Sequence, residues 1–137
     1  MIRKASAVWN GTLKEGHGTL STESGVLNET QYSYKTRFED GNGTNPEELI
    51  GAAHSGCFTM QLSAFLAEED FPAESLDTKS EITFEDGVVS KSHLILEGKV
   101  PNISEDKFLE IATKAKENCP LSKLLDTEIT LDAKLLK

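Results

Sequence analysis

Cysteine, arginine and tryptophan are all scarce in this sequence of 137 residues, with two, two and one respectively. Two cysteines are too few for a disulfide framework, and in a reducing compartment such a pair is free, metal-bound or redox-active. Apolar runs long enough for a membrane span are lacking, so no transmembrane helix is predicted. Met1 leads straight into a strand-like pattern with no apolar signal region, and we therefore expect a cytosolic protein.

Positive charge is also in short supply. Lysine and arginine number 14 against 23 acidic residues, which gives a formal net charge of -9. Because like charges repel, a nucleic acid and an anionic membrane are both disfavoured as partners. The remaining composition, 37% hydrophobic and 27% charged, is typical of a soluble globular protein. The length predicts one domain over residues 1–137.

The first forty residues have the pattern of strands. Residues 2–9 and 12–20 flank Asn10-Gly11, a hairpin signal, and residues 31–38 alternate in polarity. The simplest interpretation is an antiparallel meander.

A helix start follows these strands. Asn45 is a favourable N-cap, Pro46 suits the first helical position, and Glu48 is placed to close a capping box. The helix can run to about Ala67 with apolar residues around most of its axis, which predicts a buried helix. Small residues one turn apart allow close packing, either against another helix or beneath the protein's own sheet.

The second half of the sequence predicts a hairpin, a helix and a last strand. Residues 80–85 alternate in polarity and Asp86-Gly87 signals a turn into the next strand. Ser104 is a good N-cap for a helix that ends near Asn118. Residues 127–135 alternate again and predict the final strand.

Cys57 lies in the middle of the predicted long helix. There the helix dipole gives little help and an apolar setting raises a thiol pKa, so an inert core cysteine is the common case. Reactivity would require a cation, and the two guanidinium groups belong to Arg3 and Arg37. Arg37, at the end of a predicted strand, is the better candidate because Arg3 lies near the amino terminus. The alternative is that Arg37 is simply solvated.

Cys119 precedes Pro120 and a short stretch that can form a last helical turn. At the N-cap of that turn, its sulfur would face unpaired amide N–H groups, which favour a thiolate. Cysteine is not a preferred cap, so the alternative is that Cys119 merely ends the preceding helix.

The histidines offer weaker chemistry. His17, His54 and His93 are too scattered from each other and from the cysteines to predict a zinc site. His54 lies three residues before Cys57, which permits a Cys-His hydrolase, but no oxyanion-hole motif accompanies it. A core or interface histidine is the favoured interpretation.

Four stretches of sequence together resemble one protein family. They read RFEDGNGTNPEELIGAAHSGCFTM over residues 37–60, AVWNGTL over 7–13, STESGVLN over 21–28 and KENCPLSK over 116–123. They resemble the osmotically inducible protein C family, the OsmC/Ohr peroxidases, and the likeness spans nearly the whole chain. The arginine lies just before the GTNPEEL helix start, and in this position the sequence resembles the OsmC branch of the family rather than the organic hydroperoxide resistance branch.

The resemblance implies an α+β fold with antiparallel sheets packed around a long buried central helix, in an intertwined homodimer with active sites at the interface. It implies Cys57 as the peroxidatic thiol, Cys119 as the resolving thiol, Arg37 as the activating cation and Glu47 as its carboxylate partner. The implied substrates are organic hydroperoxides, with hydrogen peroxide less favoured, and the implied reductant is an external dithiol of the lipoyl type. No metal, haem or flavin is needed.

Helix geometry sharpens the role implied for Glu47. Ten residues separate it from Cys57, about 15 Å along a continuous helix, far beyond contact. We therefore expect Glu47 to serve the thiol of the other subunit. A different class of function is a redox sensor or hydrophobic-ligand binder of the same fold that does not turn over.

Overall fold

The computed structural model describes residues 1–137, and contacts divide them into two compact units, residues 1–49 and 50–137. The single domain predicted over residues 1–137 stays a prediction. The elements in chain order are β1 (Ala5–Asn10), β2 (His17–Thr22), β3 (Thr30–Tyr32), α1 (Tyr34–Phe38), α2 (Pro46–Glu68), β4 (Ser75–Glu85), β5 (Val88–Lys99), α3 (Glu105–Asn118), α4 (Pro120–Leu124) and β6 (Glu128–Leu135). None of the helices has both the length and the apolar character that crossing a membrane requires.

The first unit contains a three-stranded antiparallel sheet in the order β1-β2-β3, so the predicted meander is confirmed. Its first connection differs from the prediction. β2 begins only at His17, so the hairpin loop is longer than the two-residue Asn10-Gly11 turn. The backbone turns back within this loop through a hydrogen bond from the Gly16 N–H to the Thr12 carbonyl, at 2.8 Å.

Residues 34–38, predicted as the end of a strand, form the short helix α1 instead. The cause is local, because Ser33 and Thr36 form a reciprocal capping box. The Thr36 N–H donates to Ser33 Oγ at 3.3 Å, and the Ser33 N–H donates to Thr36 Oγ1 at 2.8 Å. Arg37 therefore lies on a helix and not at a strand end.

The first unit has no hydrophobic core of its own. Every buried hydrophobic side chain of the chain lies beyond residue 49, and the buried side chains of the first unit are those of Thr36 and Thr44. Five of the six residues of β1 are exposed. A small sheet needs one covered apolar face to be stable, and this unit does not provide that cover from its own residues.

The long helix α2 begins as the sequence predicts. The Glu48 N–H donates to Asn45 Oδ1 at 2.8 Å, with Pro46 at the first helical position. The Glu48 carboxylate does not close the predicted capping box, because it accepts a hydrogen bond from Thr44 Oγ1 at 2.7 Å. The helix ends at Glu68, one residue beyond the predicted end.

Within this chain α2 is buried along one face and not on all sides. Buried residues recur every three or four positions at Gly51, His54, Phe58, Leu62 and Leu66. A second stripe is exposed and consists of Ala52, Ala53, Gly56, Met60, Ser63, Ala64 and Ala67. The prediction of a helix buried all round is therefore wrong for the single chain, in which this second stripe is exposed.

The second unit has a three-stranded sheet in the order β4-β5-β6. β4 and β5 form the predicted hairpin, and the turn residues Asp86 and Gly87 have positive φ values of 51° and 79°. β5 and β6 are parallel because α3 and α4 connect them, so this sheet is mixed and not purely antiparallel. Side chains from α2, β5 and α3 form the core, with Phe58, Leu62, Leu66, Leu94, Leu96, Phe108, Ile111 and Ala115 fully or almost fully buried.

A methyl group at Gly98 is expected to destabilise this core. Its Cβ would lie 2.6 Å from Cζ of Phe108, whose ring is buried, and 3.2 Å from Cδ2 of Leu76. Gly98→Ala should therefore lower the free energy of unfolding by about 1–3 kcal/mol, the usual cost of overpacking. Urea titration measures this, with Glu97→Ala on the exposed side of the same strand as the control. Equal stability of the two variants would contradict this packing of Gly98 against Phe108.

Candidate active site

Cys57 and Cys119 come together in the second unit although they are far apart in sequence. Both are free thiols, Cys57 half-buried on α2 and Cys119 fully buried. The Cys119 thiol is close enough to the Cys57 sulfur to raise its pKa.

Burial raises the pKa of the Cys57 thiol. A hydrogen bond from the backbone N–H of Leu121 acts in the opposite direction, and the neighbouring Cys119 thiol raises the pKa further. The net direction is upward, so the protonated thiol predominates at neutral pH. The groups of the second unit therefore leave Cys57 a poor nucleophile.

Cys119 stands at the junction of α3 and α4 and caps both helices. Its N–H donates to the Ala115 carbonyl at 2.9 Å, which ends α3. Its sulfur accepts from the Ser122 N–H at 3.4 Å, with Pro120 at the start of α4. The two interpretations of the sequence, an N-cap and the end of the preceding helix, are both correct.

His54 is fully buried and bridges two serine hydroxyls. Its Nδ1 lies 2.6 Å from Ser92 Oγ on β5, and its Nε2 lies 2.8 Å from Ser122 Oγ on α4. Burial lowers the pKa of His54, so the ring is neutral at pH 7. The favoured core assignment is confirmed, and a Cys-His hydrolase pair is not formed because both ring nitrogens are occupied by serines.

Ser122 and Ser92 are the two site residues that the sequence analysis missed. Ser122 had a local signal, because it stands three residues after an N-cap candidate in Cys-Pro-x-Ser, where the cap side chain meets the backbone. Ser92 had no such local signal, because its side chain is one of several small polar groups on β5 and nothing in the sequence distinguishes it from the others. No group of three or more His, Cys, Asp or Glu side chains is arranged to hold a metal ion.

Arg37 and Glu47 form an ion pair in the first unit. The Arg37 Nε and Nη2 both donate to Glu47 Oε1, at 2.9 and 2.8 Å. The other carboxylate oxygen, Oε2, is buried and has no hydrogen-bond partner. The two residues that the family resemblance pairs are therefore in contact, while their action on Cys57 stays a prediction.

A cleft of about 290 Å³ opens beside Arg37 within the first unit. Its walls are mainly aromatic and aliphatic, and the residues are Trp9, Leu13, Tyr32, Ser33, Tyr34, Arg37 and Phe38. The Trp9 and Tyr32 rings stack edge to face with centroids 5.3 Å apart. Such a cleft suits an apolar group that carries an oxygen function next to the guanidinium.

Two free thiols within reach of each other on an α+β frame define a thiol-based redox protein. The chain belongs to the OsmC-like protein family, whose sequence model matches residues 39–134. It is 47% identical over 137 residues to the peroxiredoxin OsmC of Escherichia coli (strain K12), covering 97% of this chain and 96% of that protein. It is 28% identical over 126 residues to the organic hydroperoxide resistance protein OhrB of Bacillus subtilis (strain 168), covering 86% and 87%.

A solved structure of an OsmC-like protein of unknown function from Vibrio cholerae has the same fold. The TM-score is 0.72 with 17% sequence identity, over 97% of this chain and 99% of that one. The family resemblance and the α+β fold class predicted from the sequence are both confirmed.

Proposed function

We propose that this protein is a thiol-dependent peroxidase in which Cys57 reduces an organic hydroperoxide and Cys119 resolves the oxidised product. The observation that carries the proposal is the approach of two free thiols within the second unit. The near full-length similarity to a peroxiredoxin supports it.

The reaction takes place in three steps. The Cys57 thiolate attacks the terminal peroxide oxygen, the O–O bond breaks, and the alkoxide leaves as an alcohol after protonation, which yields a sulfenic acid. Cys119 then attacks the sulfenic sulfur, so that a disulfide forms and water leaves. An external dithiol supplies two electrons and restores both thiols. We propose a cytoplasmic dithiol of the lipoyl type for this last step.

Organic hydroperoxides are the proposed substrates, with hydrogen peroxide reduced less efficiently. The cleft beside Arg37 has aromatic and aliphatic walls around one cationic group. An alkyl or aryl tail would bury apolar area there, and hydrogen peroxide has no tail to bury. The preference is therefore a matter of binding and not of thiol chemistry.

The working form is proposed to be an intertwined homodimer. The exposed stripe on α2 is apolar and nearly free of large side chains, so a second backbone could approach it closely. The first unit exposes almost all of β1 and lacks buried hydrophobic residues. A second copy of the chain would cover both surfaces, and a two-fold arrangement is the commonest way of doing so.

In this dimer the Arg37–Glu47 pair of one subunit activates Cys57 of the other. The Cys57 thiol needs a cation because burial raises its pKa. The rise of a continuous helix separates Glu47 from Cys57 of the same chain by about 15 Å. Since both Arg37 nitrogens bind one oxygen of Glu47, the carboxylate holds the guanidinium in a fixed orientation.

Arg37→Met is expected to slow the oxidation of Cys57 at pH 7 by about 10- to 100-fold. A nearby opposite charge lowers a pKa by about 1–3 units, and each unit above the pH reduces the thiolate fraction about tenfold. Rapid mixing with cumene hydroperoxide under single-turnover conditions measures this step. Lys35→Met, a charge change on an exposed position of the same short helix, is the control.

Mixed dimers test whether the pair acts across the interface. A dimer of one Cys57→Ser chain and one Arg37→Met chain has a single reactive thiol, in the chain that lacks the guanidinium. Action across the interface restores the native rate per thiol, because the partner supplies Arg37. A rate as slow as that of the Arg37→Met homodimer would mean that Arg37 acts within its own chain.

Steady-state consumption of cumene hydroperoxide with excess dihydrolipoamide tests the function itself. A peroxidase continues until one reactant is exhausted, whereas a redox sensor of the same fold stops after one equivalent per chain. Replacing dihydrolipoamide with glutathione identifies the reductant class. Failure to consume more than one equivalent with any dithiol would leave only the sensor or ligand-binding alternative.

A further inference from the structure

A chain of hydrogen bonds connects the sulfur of Cys119 to the interior of the second unit. Cys119 Sγ lies 3.4 Å from Ser122 Oγ, which lies 2.8 Å from Nε2 of His54. On the other side of the ring, Nδ1 lies 2.6 Å from Ser92 Oγ, and that hydroxyl lies 3.1 Å from Ser80 Oγ. The chain thus joins α4 to α2, β5 and β4.

The burial of Cys119 gives this hydrogen-bond chain a chemical consequence. The side chain is fully buried, so its thiol proton has no direct route to bulk water. The thiol must nevertheless lose that proton to attack the sulfenic acid, because the thiolate is the nucleophile. An acceptor inside the protein is therefore needed, and Ser122 is the polar side chain that contacts the sulfur.

His54 has the protonation state that this task requires. Burial lowers its pKa, so the ring is neutral. With the hydrogen on Nδ1 donated to Ser92, the Nε2 lone pair can accept from the Ser122 hydroxyl. Ser122 Oγ can in turn accept the thiol hydrogen of Cys119, so all donors and acceptors are matched along the chain.

We propose that His54, acting through the Ser122 hydroxyl, draws the thiol proton from Cys119 while this thiol attacks the Cys57 sulfenic acid. The inference rests on the proposed peroxidase function and adds the means by which its resolving step is driven. His54 acts on the Cys119 sulfur only through the Ser122 hydroxyl. It is therefore a positioning residue and an indirect proton acceptor.

The step balances without an added reagent. The Cys119 proton moves to Ser122 Oγ as the hydroxyl proton of Ser122 moves to His54 Nε2. The S–S bond forms while the S–O bond of Cys57 breaks, and the departing hydroxide takes a proton back to leave as water. The Cys119 sulfur is oxidised, the sulfenic sulfur is reduced, and His54 returns to its neutral form.

The test separates the two oxidation steps in the full-length protein, with His54→Gln, Ser122→Ala and the double variant. Acid-quenched samples from single-turnover reactions with cumene hydroperoxide are analysed by mass spectrometry for sulfenic acid and disulfide. We expect unchanged formation of the sulfenic acid and about 100-fold slower formation of the disulfide, in the usual range for a general base. The double variant should be no slower than either single variant, because both remove the same relay.

His54→Ala tests the proton role separately from packing. Added imidazole should restore disulfide formation, whereas pyrazole, which has nearly the same shape but is a far weaker base, should not. His93→Gln is the matched control, since His93 bonds Thr130 and Asp132 on the same sheet outside this hydrogen-bond chain. It should leave both steps unchanged.

The outcomes that would overturn the inference are distinct. Native disulfide rates in His54→Gln and Ser122→Ala would show that no relay is needed. Equal slowing of both steps, or rescue by pyrazole as well as imidazole, would show that His54 only supports the fold, and the peroxidase function would stand. If the native protein itself forms no disulfide with peroxide, the proposed function fails and this inference fails with it.

Discussion

Cys57→Ser is expected to abolish peroxide consumption, leaving only the uncatalysed background. A serine hydroxyl is far less acidic and less nucleophilic than a thiol, so it cannot attack the peroxide oxygen at neutral pH. Cys119 remains as the single thiol in this variant. It is fully buried, which keeps it from replacing Cys57 as the reactive group.

Steady-state loss of cumene hydroperoxide with excess dithiol measures the effect. Serine is only slightly smaller than cysteine, and Cys57 is only half-buried, so the fold should be retained. Circular dichroism and urea titration of the variant verify this. Turnover at a substantial fraction of the native rate would show that another group reduces the peroxide. The assignment of Cys57 as the peroxidatic residue would then be wrong.

Cys119→Ser is expected to have a different effect, which identifies the resolving thiol. The first oxidation should proceed at the native rate, and the reaction should then stop after about one equivalent because no disulfide can form. Excess peroxide should convert the sulfenic acid to the sulfinic acid. Mass spectrometry of the intact chain measures both products, and a sulfenic-acid-specific reagent such as dimedone traps the first.

The structure makes this variant a clean test. Cys119 is the N-cap of α4, and its sulfur accepts the Ser122 N–H. Serine is among the preferred N-cap residues, so the substitution should keep this bond and the start of the helix. Equal loss of the first oxidation step in Cys57→Ser and Cys119→Ser would contradict the separate roles proposed for the two thiols.

Local signals account for the elements that were predicted well. The cap at Asn45 and Pro46, the Asp86-Gly87 turn and the Ser104 cap each depend on contacts within a few residues. The same physics explains one error. The Ser33–Thr36 capping box is just as local, but the alternation of residues 31–38 favoured a strand, and the helix α1 formed because two side chains satisfy its first backbone groups.

Burial was harder to predict than secondary structure. The apolar residues around α2 indicate contact on every side, and the single chain covers one face only. Periodicity records that a side chain prefers an apolar environment and does not record which molecule supplies it. α2 is apolar around most of its axis, yet one of its faces is exposed in the single chain. This difference supports a partner molecule on the exposed face.

The sequence alone was enough to identify the family, the long helix with its start, and the two cysteines that we propose carry the chemistry. Only the tertiary structure decided that Cys57 and Cys119 meet and that His54 connects Ser92 with Ser122. These serines lie 38 and 68 positions from His54, and hydrogen bonds over such separations leave no periodic or local pattern in the chain. They depend on how helices and strands pack, which is a property of the whole unit and not of any segment.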